Sequence, residues 1–115
     1  MPAAGALPDG SARRLTWLSL GAMRAAIHLQ IEGRVQGVGY RVWVSREAER
    51  RGLDGWARNR ADGSVEAVFA GESDAVAAMM QACRRGPATA IVVTVTEIDP
   101  LPDPGTGFHV LPTER

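Results

Sequence analysis

The chain has no lysine. All thirteen basic residues are arginine, so Schiff-base and lysine-nucleophile chemistry are excluded. A single cysteine, Cys83, rules out an intrachain disulfide and any cysteine-built zinc site. Only two histidines, His28 and His109, are present, so a metal centre would have to be mostly carboxylate. Thirteen basic residues face thirteen acidic ones, whereas a general nucleic-acid binder normally shows a basic surplus or stripe. Three tryptophans, two phenylalanines and one tyrosine are few for a sheet that would stack single-stranded RNA. No apolar run approaches the roughly 18–20 residues needed to span a bilayer. Neither a nucleic acid nor a membrane is an expected partner.

What is present is an ordinary globular composition, 45% apolar and 23% charged, in 115 residues. That is enough for one small core and too little for two. Residues 1–24 are small, carry Pro and Gly and lack periodicity, and are expected to be a flexible extension ahead of a domain at 25–115. Leu15 to Met23, behind Arg13-Arg14, resembles a short signal-peptide core. Thr16, Ser19 and Gly21 interrupt it, however, and Arg24 follows at once. The preferred reading is that Met23 is a natural start.

From residue 25 the pattern tightens. Ile27, Leu29 and Ile31 alternate with His28, Gln30 and Glu32, which predicts a strand with one buried face and an exposed His28. A glycine-bearing loop follows, then a helix from Tyr40 to Arg51 with Tyr40, Val44 and Ala48 on one side and Gly52 as its left-handed terminator. Strands at about Asp54–Asn59 and Ser64–Ala70 flank Asp62-Gly63, a strong hairpin signal. A second helix from Ser73 to about Arg84 places Val76, Met79, Met80 and Cys83 on one face, and Gly86-Pro87 ends it. Ile91 to Ile98 is rich in β-branched residues and reads as a strand buried on part of both faces. Pro100, Pro102 and Pro104 then forbid regular structure until a possible short strand at Phe108–Leu111. The order βαββαβ predicts an α+β, ferredoxin-like sandwich: an antiparallel sheet with two helices on one face.

Two places in this order carry chemistry. Gly33, Gly37 and Gly39 allow backbone conformations that turn successive amides inward, and a helix starts where they end. Such a place can bind a small anion, and Arg41 at the helix start could fork onto two of its oxygens; a plain tight turn with a solvated Arg41 is the competing reading. The segment is neither a Walker loop nor a dinucleotide fingerprint. Asn59 ends a strand before a turn and could serve only that turn, but its parity puts it on the face of Ala57, opposite Trp56 and Arg58. Cys83, Trp43 and Trp56 read as packing, Asp62 as a turn residue, and His109 as an edge-strand residue.

Four blocks, Gly33-Arg34-Val35-Gln36-Gly37-Val38-Gly39-Tyr40-Arg41, Gly52 to Asn59, Asp62 to Glu66 and Gly86 to Ala90, together resemble the acylphosphatase family over about residues 25–111. The resemblance implies a ferredoxin-like enzyme that hydrolyses the carboxyl–phosphate anhydride of small acyl phosphates, without a cofactor. It places the phosphate-binding loop on Gly33, Arg34, Val35, Gln36, Gly37, Val38 and Gly39, with Tyr40 following where family members usually carry phenylalanine. Arg41 falls on the phosphate-gripping arginine and Asn59 on the water-positioning asparagine. A monomeric, cytoplasmic enzyme is expected. The competing functions are a non-catalytic anion-binding or regulatory module of the same fold, and hydrolysis of carbamoyl phosphate.

Overall fold

The computed structural model describes residues 23–114. The expected extension at 1–24, with its signal-like stretch, lies outside the described residues except for Met23 and Arg24. Strand β1 (Arg24–Arg34) is followed by helix α1 (Tyr40–Arg50), strands β2 (Asp54–Asn59) and β3 (Val65–Glu72), helix α2 (Ser73–Arg85), and strands β4 (Ile91–Glu97) and β5 (Phe108–Val110). The strands lie in the order β4-β1-β3-β2-β5. Strand β3 pairs antiparallel with both β1 and β2, and β1 pairs antiparallel with β4. Each βαβ unit therefore leaves a gap that a strand of the other unit fills, as the split-βαβ pattern requires. The expectation of a wholly antiparallel sheet needs one correction. Strand β5 adds to the outer edge of β2 in parallel, Gly55 facing Phe108, because the chain after β4 crosses the sheet before it pairs.

The helices cover the face that carries Ile27, Leu29 and Ile31 of β1, Ala57 of β2, and Val65, Ala67 and Phe69 of β3. Tyr40, Val44 and Ala48 of α1 and Val76, Met79, Ala82 and Cys83 of α2 close over them. The i, i+4, i+8 spacing in α1 is what brings three side chains onto one line of the helix. Met80 is only half-buried, and Ala82 takes the core position beside Cys83. Gly52, in the left-handed region at φ 71°, stands just past the end of α1. In the hairpin, Asp62 accepts hydrogen bonds from the Ser64 amide (2.9 Å) and hydroxyl (2.6 Å), which hold its carboxyl below the usual range.

Two expectations fail on the sheet. His28 is buried at 5% exposure. The proline-bearing stretch after β4 passes over the face opposite the helices and brings the Pro100 carbonyl to 2.7 Å from His28 Nδ1. Strand β4 is not buried on both faces; Ile91 and Val93 are 59% and 71% exposed. It is an edge strand with helices on one side only, so Val92 and Val95 alone reach the core. Its β-branched residues report strand preference and not the number of covered faces. Among the described residues, no helix is long and apolar enough to cross a membrane.

Candidate active site

Near the end of β1 its pairing with β4 shifts between Glu32 and Gly33, where Val93 of β4 is skipped. At Gly33 the backbone has φ 136°, and a Cβ there would fall 2.1 Å from the Ile91 carbonyl oxygen, so only glycine allows β4 this close. Gly33 and Arg34 therefore belong to the strand end that launches the loop. The loop then turns through Val35, whose side chain is 1% exposed in the core, and reaches Gly39 at φ 79° and ψ 17°. Gly39 is the N-cap of α1, and no side chain caps the helix. The first-turn amides of a helix have no partner within it, and α1 carries no acidic residue in that turn. The positive end of the helix dipole thus meets the loop unopposed by local negative charge.

A partly open cavity of about 110 Å³ sits at this junction, lined by Val35, Gly37, Gly39, Tyr40, Arg41, Val42 and Asn59. Drug-sized ligand sites begin at roughly 300 Å³, so the space suits a compact anion. Gln36 and Val38 do not line it; they fasten the loop. Gln36 Nε2 donates to the carbonyls of Arg60 and Ser64, each at 2.8 Å, and the Val38 carbonyl accepts from Thr89 Oγ1 at 2.9 Å. Tyr40 turns its ring into the core, and its hydroxyl donates to the Cys83 carbonyl at 2.8 Å. Burial raises the phenol pKa well above its ordinary value, so the hydroxyl stays a neutral donor.

Arg41 Nη1 donates to the Leu111 carbonyl at 3.0 Å. That bond occupies one of five guanidinium donors and anchors the side chain at the cavity. Asn59, at 9% exposure, ends β2 on the same face as Ala57. Its backbone carbonyl accepts from the Glu114 amide at 2.8 Å, so the C-terminal segment extends the sheet beside it. Its side-chain Oδ1 is buried and has no hydrogen-bond partner among the described residues. The parity argument made from sequence thus brings Asn59 to the wall that Arg41 and the loop share. Two residues at the site escape sequence reasoning. Val42 is signalled only by following Arg41 in the first helical turn, and the Leu111 carbonyl acts across 70 residues of chain, for which the sequence carries no sign.

The fold and this cavity define a small α+β protein that can hold a compact anion between backbone amides, a guanidinium and a neutral carboxamide. Residues 27–110 match the family described as Acylphosphatase. An acylphosphatase of Azorhizobium caulinodans is 55% identical over 92 residues, covering 79% of this chain and 99% of the relative. Among solved structures, an acylphosphatase from Coxiella burnetii is 36% identical at a TM-score of 0.69, covering 76% of this chain and 93% of its own. That from Bacillus subtilis is 35% identical at 0.67, covering 77% and 99%. The chain belongs to the acylphosphatase family and is a hydrolase of that class.

Proposed function

We propose that this enzyme hydrolyses small acyl phosphates, with the loop amides and Arg41 holding the phosphoryl group and Asn59 orienting the attacking water. One observation carries the reading: Asn59 lines the same cavity as Arg41, Gly37 and Gly39, and its Oδ1 has no hydrogen-bond partner among the described residues. A carboxamide at that wall offers both a donor and an acceptor to a water beside the phosphoryl group.

An acyl phosphate leaves as a weakly basic carboxylate, so the reaction needs little help from a general acid. What it needs is a phosphoryl group held still and a water aimed in line, which is positioning and electrostatics. The Arg41 fork and the amides at Gly37 and Gly39 offset charge on the equatorial oxygens as it redistributes. Asn59 can accept from the water and donate to it, but a carboxamide cannot take its proton near neutral pH. The proton leaves to a phosphate oxygen or to solvent. Such a site serves activated anhydrides; phosphate monoesters, with poorer leaving groups, turn over very slowly. A monomer acting in the cytoplasm is the setting we favour, consistent with a lone, buried thiol at Cys83 and chemistry that needs no disulfide.

The test is phosphate release from a synthetic aroyl phosphate, with inorganic phosphate as competitive inhibitor. Arg41→Ala is expected to weaken both phosphate affinity and turnover, and Arg41→Lys to rescue poorly, because an ammonium lacks the planar fork. Asn59→Ala is expected to lower kcat by roughly 10²-fold while phosphate affinity stays within a few-fold. Normal turnover by Asn59→Ala, or an equal loss of phosphate affinity in both alanine variants, overturns the division of roles.

A further inference from the structure

The phosphate loop is fastened on two sides, and only one fastening comes from the loop's own side chains. Gln36 reaches the β2–β3 hairpin. The second tether comes from the α2–β4 connection, where Thr89 Oγ1 donates to the Val38 carbonyl at 2.9 Å, across 51 residues of chain. The turn that carries Thr89 is itself closed by the Ala90 amide donating to the Pro87 carbonyl at 3.0 Å. It follows Gly86, where a Cβ would lie 3.4 Å from Tyr40 Cε1. The turn is thus seated against the first residue of α1.

The direction of this bond matters. In a trans peptide the C=O and the next N–H point in opposite directions. Holding the Val38 carbonyl outward on Thr89 therefore turns the Gly39 N–H away from Thr89, and Gly39 lines the cavity. Gly39 is in the left-handed region and has no side chain to resist rotation of that peptide. We infer that Thr89 is a positioning residue for the phosphoryl group: by fixing the Val38–Gly39 peptide plane it keeps the Gly39 amide aimed into the cavity. It touches no substrate and lies outside the cavity wall. The inference rests on the loop amides binding phosphate, as proposed above.

The experiment compares Thr89→Val, Thr89→Ser and Arg41→Ala by the competitive inhibition constant of inorganic phosphate, KM, kcat and melting temperature. Thr89→Val keeps the side-chain volume and loses the donor. It is expected to weaken phosphate about threefold to tenfold, the scale of one net hydrogen bond, with KM following. The melting temperature should stay within a few degrees, since the bond is at the surface. Thr89→Ser retains a hydroxyl and is expected to restore phosphate affinity. Wild-type affinity in Thr89→Val, or equal impairment in Thr89→Ser, overturns the inference. If Arg41→Ala also binds phosphate normally, the failure belongs to the phosphate site as a whole; if Arg41→Ala is weakened, it belongs to Thr89 alone.

Discussion

His28 Nε2 lies 2.6 Å from Glu66 Oε2, and both side chains are buried on the face of the sheet away from the helices. The other ring nitrogen, Nδ1, faces the Pro100 carbonyl, which can only accept. Glu66 Oε1 accepts from Arg58 Nε at 2.8 Å and Arg60 Nη1 at 3.2 Å. One carboxylate therefore meets three nitrogens, from β1, β2 and the hairpin. Arg58 and Arg60 flank Asn59, and Glu114 lies within 3.6 Å of both guanidinium groups. The ion cluster beneath the sheet and the proposed water-orienting residue above it share one short piece of backbone.

This cluster contributes to the acid limb of stability. Burial alone would raise the Glu66 carboxyl, but the hydrogen bonds from Arg58 and His28 and the charges of Arg58 and Arg60 outweigh it and hold it below its ordinary value. A folded-state pKa below the unfolded one contributes stability above the unfolded carboxylate value of about 4.3. That contribution is lost as pH falls through the folded value. Glu66→Gln is expected to cost about 3 kcal/mol near pH 7 and to flatten the decline below pH 4. Urea midpoints from pH 7 down to pH 3 for both proteins test it; an unchanged pH slope in the variant would refute it.

Cys83 is fully buried on α2, and burial pushes its thiol up to about 12. At pH 8 the native protein is expected to be inert to a disulfide reagent, because the thiolate is the reacting species. One thiol per chain should react once denaturant opens the core. Rapid stoichiometric reaction of the native protein would place Cys83 elsewhere.

Among the described residues no three His, Cys, Asp or Glu side chains gather closely enough to hold a metal ion. Turnover is expected to survive exhaustive chelation, since the charge stabilisation proposed here comes from Arg41 and backbone amides. Activity lost to EDTA and restored by a divalent ion would sink the mechanism.

The core begins at Ile27, and the Met23 carbonyl accepts from the Ser73 amide at 3.0 Å. Deleting Met1–Ala22 keeps that bond. The shortened chain is expected to show unchanged kcat and a melting temperature within a few degrees of the full chain. A larger drop would assign the leader a structural role.

The sequence made local features legible. Four-residue spacing located the buried face of α1 through Tyr40, Val44 and Ala48, and strand parity put Asn59 on the face of Ala57, opposite Trp56 and Arg58. Contacts between distant segments were not legible. Alternation alone gave His28 an exposed position, because nothing in Ile27–Ile31 reports that Pro100 will cross the opposite face. The Thr89 tether and the Leu111 carbonyl on Arg41 are of the same kind. Each is one hydrogen bond between segments at least 51 residues apart, with no periodicity to announce it.

The grip of Leu111 on Arg41 also sets an order of assembly. The glycine loop, the arginine and the asparagine all precede residue 60, yet the carbonyl that anchors Arg41 and the amide that pairs with Asn59 come from Leu111 and Glu114. A nascent chain in which Leu111 and Glu114 are still inside the ribosome has every proposed reacting group and neither of these late clasps. Both clasps form only once that segment has emerged and docked, and a stop codon at Leu111 removes them from machinery translated long before.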